Sequence, residues 1–349
     1  MGCGHGKSAP VSARAASSGN VRRAARVLPF LALLLLLGAW ALCAWGRDES
    51  LIAMVASHVP GPLYCTLALC ALLASVFARS LPAGLAALAC LAIAVFPLGV
   101  WTTPSVAAAP LASQRVLSWN VEQWNRGGAR LGRAVFQQAP DLFCLQEAKN
   151  HNSFPGDVEW VAFEAELPGY HLIRHGDMAF GTRWEVVDQW HVKLHDELWR
   201  RPMLDITVRT PQGALLRVIV VHFVHTGYYG KRPSALTMAS AERLAQAERI
   251  LARLGSDRTP TIVCGDFNAP ENSAVLARLR ERLSDAWLQR GHGFGFTSSS
   301  LLPLRRIDYL LTTGIDVGEI EVLDWVLSDH RPLWATFGLE PGRTASPEK

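Results

Sequence analysis

The sequence predicts a mixed α/β domain of about 230 residues, an ordinary size for one core, behind an apolar N-terminal third. Three observations predict it. Residues 27–100 are almost uncharged, whereas the stretch from 115 onward carries nearly all the charge. Short apolar runs with strand character alternate with runs of helical spacing from Arg115 to the end. Six segments of that stretch set polar side chains beside or at the end of an apolar run. In sheet proteins chemistry collects where strands give way to loops.

The N-terminal third reads as membrane. Runs at 27–45, 62–78 and 81–100 lack charge, and a bilayer crossing takes roughly 20 apolar residues, with about 17 as the lower limit. The first and third runs meet this comfortably and the middle one only just. Trp40, Trp45 and Trp101 stand near run ends, where amphipathic rings prefer the interface. Lys7, Arg14, Arg22, Arg23 and Arg26 precede the first run, so residues 1–26 are expected to be a disordered cytoplasmic tail. Three crossings put residues 101–349 outside the cytoplasm; two would put them inside. A cleaved signal peptide is the simpler reading of the first run, but its length and the two runs after it speak against that. The opening Gly2-Cys3-Gly4-His5-Gly6-Lys7-Ser8 lacks the Ser or Thr that myristoylation wants at Gly6 and the strand that a phosphate loop follows.

Residues 101–114, rich in Ala, Pro and Ser, read as a linker, 115–340 as the folded domain and 341–349 as a tail. Strands are expected at 115–119, 141–145, 205–209, 215–221, 261–264, 308–311 and 333–337, and helices at 129–138, 234–254 and 273–283. Cys144 and Cys264 lie inside strands and read as reduced core residues; the sequence has no Cys-x-x-Cys zinc pattern. The chain has a formal charge of +4, but from 115 onward 27 basic residues meet 28 acidic ones. The domain therefore lacks the overall basic balance of a tight nonspecific nucleic-acid binder, though net charge does not exclude a local basic face.

The segment with most chemical content is Gly265-Asp266-Phe267-Asn268. A carboxylate and an amide two residues apart after an apolar strand can align a water and hold a phosphoryl oxygen; an Asx-turn ending the strand is the plainer alternative. Ser328-Asp329-His330 joins a cation ligand to a proton-handling imidazole. Asp308, in Arg306-Ile307-Asp308-Tyr309, can orient an imidazole. Gln146-Glu147 ends a strand on a group suited to Mg²⁺, which takes few protein ligands and keeps waters. Asn120 and His222 likewise end apolar runs. Read singly, each has a structural explanation. The loop 224–233 adds Tyr228, Lys231 and Arg232, which can grip a phosphate and stack on a base, or dip into a bilayer surface.

Taken together, the order and spacing of Trp119-Asn120, Gln146-Glu147, His222, Gly-Asp-Phe-Asn at 265–268, Arg-Ile-Asp-Tyr at 306–309 and Ser-Asp-His at 328–330 resemble the endonuclease/exonuclease/phosphatase (DNase I-like) family. Phe296-Thr297 fits the same pattern, and the resemblance covers roughly 115–338. With the apolar runs before it, the resemblance points to a membrane-anchored member of bacterial type. Its fold would be a four-layer sandwich, two mixed β-sheets face to face with helices outside, behind about three transmembrane helices. It also implies that Glu147, with Asn120 and Asp329, holds a divalent cation, Mg²⁺ or in its place Mn²⁺. Asp266 would position the attacking water and Asn268 hold it or the phosphoryl group. His330, oriented by Asp308, would stabilise the developing charge, and His222 would donate to a phosphate oxygen or the leaving group. The implied activity is that of a phosphodiesterase, phosphatase or nuclease, hydrolysing a phosphodiester in nucleic acid or a phospholipid head group, with the lipid bilayer as the other partner; the resemblance does not say which protein partners the chain has. The alternative is an inactive phosphate-binding module on a membrane anchor. One departure stands out: many members carry a further amide or acid in a Gly-Asn-Ala-Ile-like segment, where this chain has Gly176-Asp177-Met178-Ala179-Phe180-Gly181-Thr182. Asp177 or Thr182 is the candidate substitute.

Overall fold

The computed structural model describes residues 11–46, 50–98, 101–104, 113–149, 157–193, 202–232 and 234–339. The opening motif at 2–8, most of the expected linker and the expected tail at 341–349 lie outside the described residues. The chain divides into two compact units, residues 1–45 with 59–100, and residues 46–58 with 101–349.

The first unit packs three helices together, α1 (Val11–Ala41), α3 (Gly61–Ala78) and α4 (Leu81–Val95). Residues 11–26, expected to be disordered, are the opening turns of α1; Ala and Arg dominate this stretch, and both favour helix. Two helices, Gly19–Trp45 and Gly61–Ala78, are long and apolar enough to cross a bilayer. The third expected crossing, 81–100, is shorter than the apolar run suggests. The helix stops at Val95 because Pro97 lacks the N–H that the helix would need and disfavours helical backbone before it. Its 15 residues rise about 22 Å, short of the roughly 30 Å of a bilayer core. The burial pattern is inverted relative to a soluble bundle. Ala68, Ala71 and Ser75 of α3 and Ala83, Ala86 and Ala87 of α4 are buried, while Leu34, Leu35, Leu73, Val76 and Leu85 face outward.

The second unit contains α2 (Leu51–His58) and the α/β body. One sheet has the order β11 (Asp316–Val322), β12 (Leu333–Gly338), β1 (Gln114–Asn120), β2 (Leu142–Gln146), β4 (Met178–Thr182), β3 (His171–His175). The other runs β5 (Glu185–Lys193), β6 (Pro202–Arg209), β7 (Leu215–His222), β8 (Thr261–Asp266), β10 (Asp308–Thr313), β9 (Ser284–Asp285). Both are mixed, and each holds one parallel pair, β1 with β2 and β7 with β8.

Alternation along the strands builds the layers. Val116, Cys144, Phe180, Leu204, Val218, Cys264 and Leu310 form the core between the sheets. The opposite faces are covered from outside. Leu117 and Phe143 pack with Leu131 and Val135 of α5 (Gly128–Gln138) and Phe163 of α6 (Val158–Ala165). Ile219 and Val263 pack with Ile250 of α7 (Ser234–Leu254) and Leu276 of α8 (Ala274–Leu279). Each buried large side chain is worth about 1.5–3 kcal/mol. Side-chain caps start the short helices: Asp157 accepts from Trp160 N, Ser273 from Leu276 N, and Asp285 from Trp287 N at the head of α9 (Ala286–Arg290). Within the same unit α2 packs on α7. Cys144 and Cys264 are free and buried, and burial pushes the Cys144 thiol well up.

Candidate active site

The carboxyl ends of the two parallel pairs build the site. β1 ends on Asn120 and β2 leads into Glu147; β7 ends on His222 and β8 on Asp266. Asp266 is in register with His222 on one side and Asp308 on the other. Adjacent strands lie about 4.8 Å apart, so strand pairing alone places these three side chains in one row. Gly265 makes this possible: its φ is +143°, and a Cβ there would fall 1.9 Å from Val221 O.

The six predicted segments converge. Asp266 Oδ2 accepts from Asn120 Nδ2 at 3.1 Å, with His222 Nε2 at 3.8 Å and His330 Nε2 at 3.9 Å. Its Oδ1 accepts from Asn268 N at 2.8 Å. Asn120 Nδ2 also reaches Glu147 Oε1 at 3.3 Å, and His222 Nε2 lies 3.8 Å from the same oxygen. Asn268 Nδ2 donates to Phe223 O at 3.0 Å, which uses one of its two amide hydrogens.

Each imidazole is fixed by its own carboxylate. His330 Nδ1 lies 2.7 Å from Asp308 Oδ2, which also accepts from Thr297 Oγ1 at 2.5 Å. His222 Nδ1 lies 2.8 Å from Asp177 Oδ2. Asp177 therefore reaches the site, while Thr182 is buried and serves its own chain, donating to Asp141 O. Burial disfavours an imidazolium at His330, but Asp308 first, then Asp266 and Asp329, outweigh it and raise the group to about 10. Asp308 is held above the usual carboxylate range by burial and by Asp266, with His330 opposing.

Glu122 and Gln123 belong to the site although the sequence did not single them out. Glu122 Oε2 accepts from Asp329 N at 3.0 Å, and Gln123 Nε2 reaches Glu147 Oε2 at 3.5 Å. Glu122, Gln123 and Trp124 are consecutive left-handed residues at φ 48°, 52° and 65°; Glu147 and Asn268 share that conformation at 55° and 48°. Such backbone costs roughly 1–3 kcal/mol per residue and concentrates at functional sites. The buried Trp124, packed on Trp160 and Phe163, holds the turn down.

The donors suit a hard divalent cation. Asp329 is raised by burial and by the like charges of Glu122 and Glu147, with His330 opposing. A cation between these carboxylates relieves that repulsion. Asp266, Asp308 and His330 also bring ligand atoms within 4.8 Å of one another. Asp308 Oδ2 is already committed to His330 and Thr297. Glu147, Asp329 and Glu122 offer a second set of carboxylate oxygens.

Tyr228, Lys231 and Arg232 lie on the loop after β7, outside the buried row. Tyr228 is exposed in a single 3₁₀ turn, Thr226–Tyr229, and Lys231 and Arg232 are exposed beyond it. The start of this loop is anchored from α7: buried Arg243 Nε donates to Val224 O at 3.1 Å, and Gln246 Oε1 accepts from Val224 N at 3.1 Å. Their positions on a helix that looked merely amphipathic gave no sign of this.

The model of the Endonuclease/Exonuclease/phosphatase family matches residues 117–330, more than half of the chain. The chain belongs to that family. Solved structures agree on the fold. A family member from Bacteroides vulgatus superposes with a TM-score of 0.55 at 19% identity, covering 65% of this chain and 99% of its own. A mannosyl-6-phosphatase of Bacteroides thetaiotaomicron gives 0.54 at 17%, covering 65% and 100%. The D. rerio TDP2 solved with a single-strand DNA product gives 0.51 at 18%, covering 64% and 98%.

Proposed function

We propose that the protein is a membrane-anchored, divalent-cation-dependent phosphoesterase that hydrolyses a phosphodiester by in-line attack of a water held by Asp266. One observation carries this reading: Asp266 Oδ2 lies within 3.9 Å of the Nε2 atoms of both His222 and His330, each fixed from behind by its own aspartate. A carboxylate flanked by two imidazoles can align a water and neutralise charge on the phosphoryl oxygens. Phosphoryl transfer asks for alignment and charge neutralisation above all. Asp266 orients the water and draws its proton. Imidazolium His330, held by Asp308, binds a phosphoryl oxygen, and Asn268 offers its remaining amide hydrogen to another. His222, held by Asp177, donates to the leaving oxygen. Glu147, Asp329 and Glu122, with Asn120 beside them, would hold the cation, Mg²⁺ or Mn²⁺, which supplies further neutralisation of developing charge. An inactive binding module has no need of two oriented imidazoles around a buried carboxylate.

The anchor reading rests on the inverted burial of the first unit: small residues meet between its helices and large apolar ones face out, as in lipid. The side follows from parity. α3 and α4 pack together as a hairpin, and a hairpin returns the chain to the side from which it entered. This holds whether it crosses fully or re-enters. One crossing by α1, with Arg22, Arg23 and Arg26 on the cytoplasmic side, then puts the site outside the cytoplasm. The substrate is a nucleic acid or a phospholipid head group, met first by Tyr228, Lys231 and Arg232.

The test is hydrolysis of bis-p-nitrophenyl phosphate by the full-length protein. The expected result is turnover that EDTA abolishes, that Mg²⁺ or Mn²⁺ restores, and that Asp266→Ala removes. Turnover surviving both EDTA and Asp266→Ala overturns the mechanism.

A further inference from the structure

We propose that the loop 299–304 is a bilayer-contacting element that holds the mouth of the site against the lipid surface; this rests on the membrane-anchored reading above. Its tip presents two adjacent leucines, Leu301 and Leu302, that are 75% and 68% exposed. Leaving such side chains in water forgoes the gain of burying their apolar surface.

The tip is held out by the catalytic segment itself. Ser300 N donates to Asp329 O at 2.7 Å, Arg331 Nε donates to Ser300 O at 2.8 Å, and Ser298 bridges both Arg305 and His330. A rigid apolar tip one hydrogen bond from Asp329 ties whatever it touches to the position of the reaction centre.

A second observation identifies the occupant. Behind the tip, Pro303 and Phe294 share a cavity of about 440 Å³ that Arg290 and Arg331 also line. Phe294 is 42% exposed and carries Trp101 edge-on at 4.9 Å, while Thr102 and Gly293 exchange two backbone hydrogen bonds of 2.9 Å. Trp101 follows the end of α4, at Val95, by six residues. Six residues span at most about 21 Å, so only a short tether joins this face to an apolar helix. Exposed leucines, two aromatic rings and arginines on a face tethered that tightly match the composition of a membrane interface, where rings and cations sit at head-group level and aliphatic tips go deeper. A protein partner would have no reason to be matched to the tether.

The experiment places a benzophenone side chain at position 301 of the full-length protein, reconstituted in phosphatidylcholine–phosphatidylglycerol vesicles, with adducts read by mass spectrometry after irradiation. Position 302 is the second site if the first misfolds. Position 34 in α1 reports on the anchor. Position 212, in the exposed turn at the far end of β7 from His222, reports on background. The expected result is phospholipid adduct at 34 and 301 and none at 212. Adduct at 34 without adduct at 301 or 302 overturns the loop proposal and leaves the anchor standing. Lack of adduct at 34 as well overturns the anchor itself. Adduct at 301 to protein in place of lipid also overturns the proposal.

Discussion

Two clusters of charge, each with a buried centre, lie a few residues apart in the catalytic body, and they are built on opposite rules. In the first, Arg280 and Arg306 meet Glu271 and Asp285: Arg306 pairs with Asp285 and lies 3.3 Å from Glu271, while Arg280 lies 2.7 Å from Asp285 and 3.6 Å from Glu271. Two cations face two anions. Burial alone would raise Asp285, but Arg306 and Arg280 outweigh it and hold it below the usual carboxylate range. In the second, the carboxylates of Glu122, Glu147, Asp177, Asp266, Asp308 and Asp329 gather around His222 and His330. Two of them, Asp308 and Asp329, are raised. Matched charge stabilises a fold and asks for nothing more. Surplus negative charge is held against its own repulsion, which on the proposed reading a cation relieves.

The comparison breaks most visibly at Asp266. Asp266→Asn should cut hydrolysis by roughly 10²–10⁴-fold, the range for losing an acid–base group. The melting temperature should hold or rise, because surplus charge has been removed; a variant that melts much earlier would make Asp266 structural. The matched cluster should respond the other way. Arg306→Met leaves Asp285 buried without its main partner and should cost about 3–5 kcal/mol in urea unfolding. A loss below about 1 kcal/mol, the scale of an exposed pair, would erase the contrast.

A smaller effect separates the two imidazoles. Asp177→Asn should slow turnover by roughly 10–100-fold, the usual cost of removing a group that orients a working side chain. Its stability should barely change, and unchanged turnover would make Asp177 a bystander. The smallest effect is in pH. His330 is raised from 6.5 to about 10 in the folded state. The stabilisation from its pairing is therefore full below pH 6.5 and is lost as pH climbs through about 10. Asp285 is lowered from 3.8, so its contribution is present above that value and is lost as pH falls below it. Melting temperatures in EDTA should thus show an alkaline limb that Asp308→Asn moves toward neutrality and that Arg306→Met leaves in place. An unmoved limb in Asp308→Asn would assign it elsewhere.

Much of this was legible in the sequence, for a physical reason. A strand that ends on a polar residue writes its chemistry locally, and Asn120, Glu147, His222, Asp266 and Asn268 all sit at or just beyond such ends, while Asp308 opens β10 and His330 shortly precedes β12. Residues whose role depends on a distant partner were harder to see. Glu122 and Gln123 act through a left-handed turn that no local pattern announces. Arg243 and Gln246 read as ordinary helix positions, yet they hold the start of the loop after His222. Asp177 was visible only as a departure from the family pattern; its role appears once the turn between β3 and β4 meets the end of β7. At the other end of the chain, apolar composition ran on past Pro97 while the helix did not, which is why 81–100 looked like a full crossing.

The proposed cation site predicts one decisive titration. Mn²⁺ binding to the full-length protein in detergent, followed by the loss of the free-ion electron paramagnetic resonance signal, should show an ion whose affinity drops by roughly 10–100-fold in Glu147→Gln. The same substitution in the matched cluster, Glu271→Gln, should leave that affinity unchanged. An ion that binds Glu147→Gln as well as the unaltered protein contradicts the account.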